Sequence, residues 1–220
     1  PRSREHAVQK AYEKGGFMSW FKHKTYSRRK LANLKNIGGR LKRGETLMYE
    51  VAKYKQGGRI LDIGCNRGFL LANAAAWGWE AFGIEIVTWK TKLVEREFNV
   101  TIFNDRLRSV APPFTDKFFD VITMIDIIEH FHDPVEDLKA IHRILKDDGF
   151  LLINTPDYNS AWLRINGDEW KFDKPEELLY LYDRNTLKLM LEKIGFEIIT
   201  FQQSKGFHGE MEVHVRKKTL

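Results

Sequence analysis

The stretch Arg59-Ile60-Leu61-Asp62-Ile63-Gly64-Cys65-Asn66-Arg67-Gly68-Phe69-Leu70 constrains the fold more than any other. An apolar strand runs into a short turn carrying two glycines, and that turn opens an apolar helix. A parallel strand delivers such a turn to the carboxyl edge of a sheet, where backbone without a Cβ can approach a ligand closely. The pattern predicts a nucleotide-type site in an α/β sheet. A Gly-x-x-x-Gly turn alone is common, so the order of the motifs downstream carries the weight.

Residues 60–63, 80–84, 100–103, 118–125 and 150–154 read as strands. Residues 66–77, 88–98 and 134–145 read as helices between them, the last with Asp133 as N-cap and Pro134 at its first position. This alternation predicts a Rossmann-like α/β fold, a mostly parallel sheet with helices on both faces. A helix over 184–194, stopped by Gly195, precedes two strands, 196–202 and 211–215. A Gly-containing connection joins them, so they should run antiparallel to each other. With 220 residues the chain can bury the core of one such domain.

No apolar run is long enough to cross a membrane, and the first residues lack the apolar core of a signal peptide. The single cysteine, Cys65, excludes a disulfide framework or a cysteine zinc cluster and fits a cytoplasmic location. The histidines show no metal spacing, so no metal is expected.

Residues 1–44 read as a basic helical extension ahead of a domain over 45–220. Leu31, Leu34, Ile37 and Leu41 recur at helical spacing, Gly38-Gly39 interrupts the pattern, and 45–54 reads as a separate short helix. From Lys22 to Arg43 there is no acidic residue, within a chain of formal net charge +6. Such an arm can meet phosphates, anionic lipid or an acidic partner, or simply form a solvated cover helix. Pro156 to Glu177 has no clear period. With its aromatics it reads as part of a lid over about 156–182, walled by Tyr158, Trp162, Trp170 and Tyr180.

The residues that carry chemistry lie at strand ends. Asp62 can accept from loop amides or from a ligand ammonium group. Asn66 stands where a glycine is common, and asparagine tolerates positive φ, so the turn should survive. Glu85 lies roughly 20 residues beyond the glycine loop, where an acidic side chain reaches ribose hydroxyls. Asp105, after Asn104, can take an adenine amino group or make an Asx turn. Asp126, Glu129 and His130 come after the fourth strand, with Met124-Ile125-Asp126 as a floor. His130 can act as a general base, because imidazole titrates near neutrality, or merely order the loop before Asp133.

The order DIGCNRG, AFGIEI, FDVITMIDIIEHFHDP, ILKDDGFLLINTP resembles the class I S-adenosylmethionine-dependent methyltransferases. It is most similar to their ubiquinone-biosynthesis-type, small-molecule O-methyltransferase branch. The resemblance spans about 59–215 and implies seven strands with one reversed. It implies S-adenosyl-L-methionine as cofactor, leaving as S-adenosyl-L-homocysteine. Gly64, Cys65, Asn66 and Gly68 would take its methionine part, Glu85 and Ile86 the ribose, and Asn104, Asp105 and Arg106 the adenine, with Asp62, Asp126 and Ile127 completing the site. Two departures stand out: Asn66 replaces the usual glycine, and Pro175 to Tyr180 reads PEELLY, without the histidine the family often places there.

The expected activity is therefore methylation, at oxygen, of a small molecule such as a natural product, sugar, quinone or lipid precursor. Docking of RNA through the basic arm gives an RNA methyltransferase as the alternative, although neither an Asn-Pro-Pro-Tyr-type nor a catalytic-cysteine motif is present. A nicotinamide oxidoreductase lacks the required Gly-x-Gly-x-x-Gly spacing. A cofactor-binding protein without catalysis is the remaining class, since a fold does not fix an activity.

Overall fold

The computed structural model describes residues 28–111, 114–166, 178–205 and 209–218, and the side chains within them other than those of 28–38, 93 and 97. It forms the expected seven-stranded, mostly parallel α/β sheet with antiparallel C-terminal strands. The chain divides into two compact units, the first ending at Asn104 and the second beginning at Asp105.

The first unit opens with α1 (Arg28–Ala52). This helix corrects the sequence reading, because it passes through Gly38-Gly39 and through position 44 without a break. Three helical glycines, at 38, 39 and 44, cost roughly 3 kcal/mol against alanine. Burial of Leu41, Leu47, Met48 and Val51 outweighs that, at roughly 1.5–3 kcal/mol for each large apolar side chain. Leu41 packs with Ala72 and Val94, as the helical spacing anticipated. Gly44 permits the approach of α1 to the next helix, since a Cβ there would lie 2.9 Å from the Phe69 carbonyl oxygen. Asn73 fastens the same junction by donating to the carbonyls of Leu41 and Phe69.

β1 (Arg59–Ile63), α2 (Phe69–Ala76), β2 (Glu80–Ile84), α3 (Thr88–Glu97) and β3 (Val100–Phe103) complete this unit. Its strands lie in the order β3-β2-β1, all parallel, with Ile63 level with Ile84 and Ile84 level with Phe103. The register therefore sets Gly64, Glu85 and Asn104 side by side along one carboxyl edge.

The second unit comprises α4 (Leu107–Val110), β4 (Phe119–Ile125), a single 3₁₀ turn (Ile128–His130), α5 (Pro134–Ile144), β5 (Leu145–Pro156), α6 (Ala161–Asn166), α7 (Arg184–Ile194), β6 (Phe196–Gln203) and β7 (Glu210–Lys217). α4 and α6 are short helices within stretches that gave no helical period. Asp133 caps α5 as predicted, accepting from the Glu136 amide, with Pro134 next. α7 keeps its predicted bounds, starting at an Asp183 capping box and stopping at Gly195 with φ 106°. β4 and β5 are parallel, and β7 runs antiparallel to both β5 and β6.

Candidate active site

The first unit builds a loop of alternating left-handed residues after β1: Gly64, Asn66 and Gly68 have φ of 71°, 50° and 69°. Asn66 thus holds the conformation expected of it without a glycine. Gly68 is required twice over, because a Cβ there would also sit 2.5 Å from Val94 Cγ1. The amides of Gly64 and Cys65 both donate to the Ile84 carbonyl, which ties the loop to β2.

Glu85, directly after β2, is buried. Its Oε2 accepts the Asn66 amide at 3.0 Å and its Oε1 the Val87 amide at 2.9 Å. Lys90 Nζ stands 4.0 Å from Oε1. Asn104 extends the same edge by donating its side-chain amide to the Glu85 carbonyl. Asp62 is buried in the preceding strand, while Ile86 and the nearby Trp89 expose about two thirds of their surface, at 66% and 62%. The cysteine of the loop is buried, and burial pushes its thiol well above the ordinary range, so Cys65 remains protonated and is not a nucleophile.

This donor set fits S-adenosylmethionine. A carboxylate offers about four lone-pair sites, of which backbone amides occupy two on Glu85, leaving capacity for both ribose hydroxyls. The acidic edge suits a ligand carrying an ammonium and a sulfonium. The exposed apolar Ile86 beside it offers a face for a flat ring.

The second unit carries its own strand-end cluster. Asp105 is exposed and accepts the amide of Arg106, the residue before α4. Asp126 comes directly after β4 in the left-handed region, at φ 54°, and its amide donates to the Asn154 carbonyl. Ile127 then leads into the 3₁₀ turn, where His130 is half-buried and Glu129 wholly buried. Glu129 Oε2 accepts the Thr155 hydroxyl at 2.9 Å. Burial drives the Glu129 carboxyl up to about 7; the Asp126 charge pushes the same way, while its own backbone amide, Thr155 and His130 act against it. A carboxyl of this kind changes protonation near neutral pH, as a proton-transfer group needs. Sequence reasoning placed Glu129 beside His130 and gave the role to the histidine; only the fold shows which of the two is enclosed.

The residues just after β5 meet those just before α7. Asp157 forms a parallel bridge with Tyr182, and the Tyr158 amide donates to the Tyr182 carbonyl. Arg184 pins Asp157 from the start of α7. The Glu129 carbonyl accepts the amides of Leu179 and Tyr180, which holds this segment against the 3₁₀ turn. The Tyr180 hydroxyl donates to the His132 carbonyl, and its ring stacks on Tyr182 with centroids 6.1 Å apart. The Tyr182 hydroxyl is buried and has no hydrogen-bond partner within the described residues. Tyr158, Trp162, Ile165 and Leu179 turn apolar surface outward. Trp170 and the rest of 167–177 lie outside the described residues, as do Lys22 to Ser27 of the basic arm.

The chain is similar to proteins of a known family. A family model described as a methyltransferase domain matches residues 28–200. A ubiquinone biosynthesis O-methyltransferase of Actinobacillus pleuropneumoniae is 27% identical, the match covering 69% of this chain and 70% of that one. Its namesake in Cereibacter sphaeroides is 30% identical over 56% of this chain and 57% of its own length. Among solved structures, an S-adenosylmethionine-dependent methyltransferase of Archaeoglobus fulgidus superposes with TM-score 0.66 at 20% identity, covering 87% of this chain and 100% of that one. A Burkholderia thailandensis 1,6-didemethyltoxoflavin-N1-methyltransferase, solved with bound 1,6-didemethyltoxoflavin and S-adenosylhomocysteine, has TM-score 0.62 at 16% identity, covering 87% and 84%.

Proposed function

We propose that this chain, which belongs to the methyltransferase-domain family and is an S-adenosylmethionine-dependent methyltransferase, methylates an acidic hydroxyl of a small organic molecule. The bound cofactor supplies an activated methyl group, whose transfer from sulfur is strongly favourable. The chain must hold that cofactor, align an acceptor oxygen, exclude water and take a proton. In this reading Glu85 holds the ribose, Asp62 and the Gly64–Gly68 loop the methionine portion, and Asn104, Asp105 and Arg106 the adenine. Asp126 and Ile127 form the floor. Tyr158, Trp162 and Tyr180 offer exposed apolar surface that an acceptor molecule would cover.

Glu129 is the observation that carries the choice of acceptor. Together with its neighbour His130 it is the proton-accepting end of the site. A phenol-like hydroxyl, of pKa about 10, gives its proton to a group of pKa about 7 at a cost of roughly 4 kcal/mol. An aliphatic alcohol, near the ~16 of water, would cost roughly 12 kcal/mol, most of the roughly 13–17 kcal/mol barrier of an ordinary enzyme. A phenol or enol is therefore favoured over a sugar hydroxyl. The likeness to ubiquinone-biosynthesis O-methyltransferases points to oxygen as well. Against an RNA substrate using a cysteine nucleophile stands the buried, protonated Cys65.

The test is calorimetric binding of S-adenosylhomocysteine, then transfer of labelled methyl groups to a panel of catechols, enols, amines and aliphatic alcohols. Transfer to catechols or enols is expected. Binding of the cofactor with transfer only to nitrogen or to aliphatic hydroxyls would overturn the acceptor assignment.

A further inference from the structure

Strand β7 alternates in a way that misleads. Met211, Val213 and Val215 form one apolar face and Glu212 and His214 the other, an alternation typical of a strand with one face in water. β7 is instead the middle strand of β5-β7-β6, and both its faces are buried: Glu212 is 2% exposed and His214 1%. Directly paired residues of antiparallel strands share a face. Asn154 of β5 and Gln202 of β6 both pair with Glu212, so the three form a polar row across the strands. His214 stands two residues along on that face, its Nε2 2.7 Å from Glu212 Oε1. Gln202 Nε2 also donates to Glu212 Oε1.

Asn154 completes the row. It is fully buried, and its Nδ2 donates to Ser204 Oγ at 2.6 Å, but its Oδ1 has no partner among the described residues. A buried amide oxygen opposite a buried carboxylate places two acceptors on one face with nothing positive supplied by the asparagine. Such an arrangement is what a cation would resolve.

We propose that Asn154 Oδ1, the Glu212 carboxylate and His214 Nε2 form a binding site for a divalent transition metal ion, independent of methyl transfer. One imidazole nitrogen and two oxygens suit zinc and its first-row neighbours rather than calcium or magnesium, which prefer all-oxygen shells. The ion would take the place of the proton between His214 and Glu212, and that proton would pass to solvent, so affinity rises with pH. It would tie β5 to β7 at Asn154, whose carbonyl holds the Asp126 amide and whose neighbour Thr155 holds Glu129.

Zn²⁺ alone is the probe. Chelator-stripped full-length chain is equilibrated with Zn²⁺, desalted and assayed for metal content and Tm. One Zn²⁺ per chain is expected, with Tm raised on the order of 5–10 °C at about a hundredfold excess over Kd. In weak buffer, loading should release protons. Glu212→Gln, which preserves shape, should lose Zn²⁺ affinity about a hundredfold while binding S-adenosylhomocysteine like the parent. A wild-type chain that keeps less than about one tenth of an equivalent, with unchanged Tm, overturns the proposal and leaves the row a hydrogen-bond network. Equal zinc in wild type and Glu212→Gln overturns it too, by locating the ion elsewhere.

Discussion

Glu85 and Glu129 are both buried carboxyls beyond the ends of parallel strands, yet they are built for opposite tasks. Each oxygen of Glu85 accepts a backbone amide, from Asn66 and Val87, and a lysine stands nearby. Its donors lie in its own loop and in the loop of the adjacent strand. Glu129 receives the hydroxyl of Thr155, 26 residues away, and faces the charge of Asp126. Burial is common to both, so burial by itself assigns neither role; the partners around each carboxylate differ.

Glu85→Ala is the strongest way to break this contrast. It should weaken S-adenosylhomocysteine binding by about 10²–10³-fold in calorimetry, since hydrogen bonds to a charged group contribute roughly 1.5–3 kcal/mol each. An unchanged Kd would remove Glu85 from the ribose role. Gly68→Ala tests the loop that Glu85 holds. Strain at φ 69° and the 2.5 Å approach to Val94 should cost about 3 kcal/mol and lower Tm by roughly 6–12 °C.

Glu129→Gln addresses the other carboxyl. The wild-type kcat/KM should rise with pH through about 7, as Glu129 ionises and becomes able to accept a proton. Glutamine should flatten that limb and lower the rate at pH 8 by about 10²-fold. Stability should move in the opposite direction. The folded carboxyl holds its proton up to about 7, while the unfolded one releases it near 4.5. Stability is therefore lost as pH rises from 4.5 to 7, by about 3 kcal/mol at most, and Glu129→Gln should remove the slope in denaturant titrations. Asp133→Ala should cost only about 1 kcal/mol, the usual worth of an N-cap. Smallest of all, Asn66→Gly should shift stability by less than about 1 kcal/mol, because asparagine already occupies the left-handed region.

What was legible in the sequence is what neighbouring residues decide. The strand–turn–helix at Arg59 to Leu70, the left-handed Asn66, the Asp133-Pro134 start of α5 and the bounds of α7 all come from local chemistry. The continuous α1 was not legible at Gly38-Gly39, since local propensity there argues for a break and distant packing overrules it. The left-handed Asp126 was hidden for a similar reason: its amide answers to Asn154, 28 residues on.

By itself the sequence determined the α/β class, the left-handed glycine loop after β1 and the acidic residues at the strand ends, because each is a short-range pattern of apolar period and turn chemistry. Tertiary structure alone decided which polar residues lost contact with water. In one dimension Glu129 is a polar neighbour of His130, and Glu212 and His214 are the polar half of an alternating strand, with no mark of which is enclosed. They acquire their chemistry because strands far apart in sequence close over them, and desolvation is a property of the packed fold.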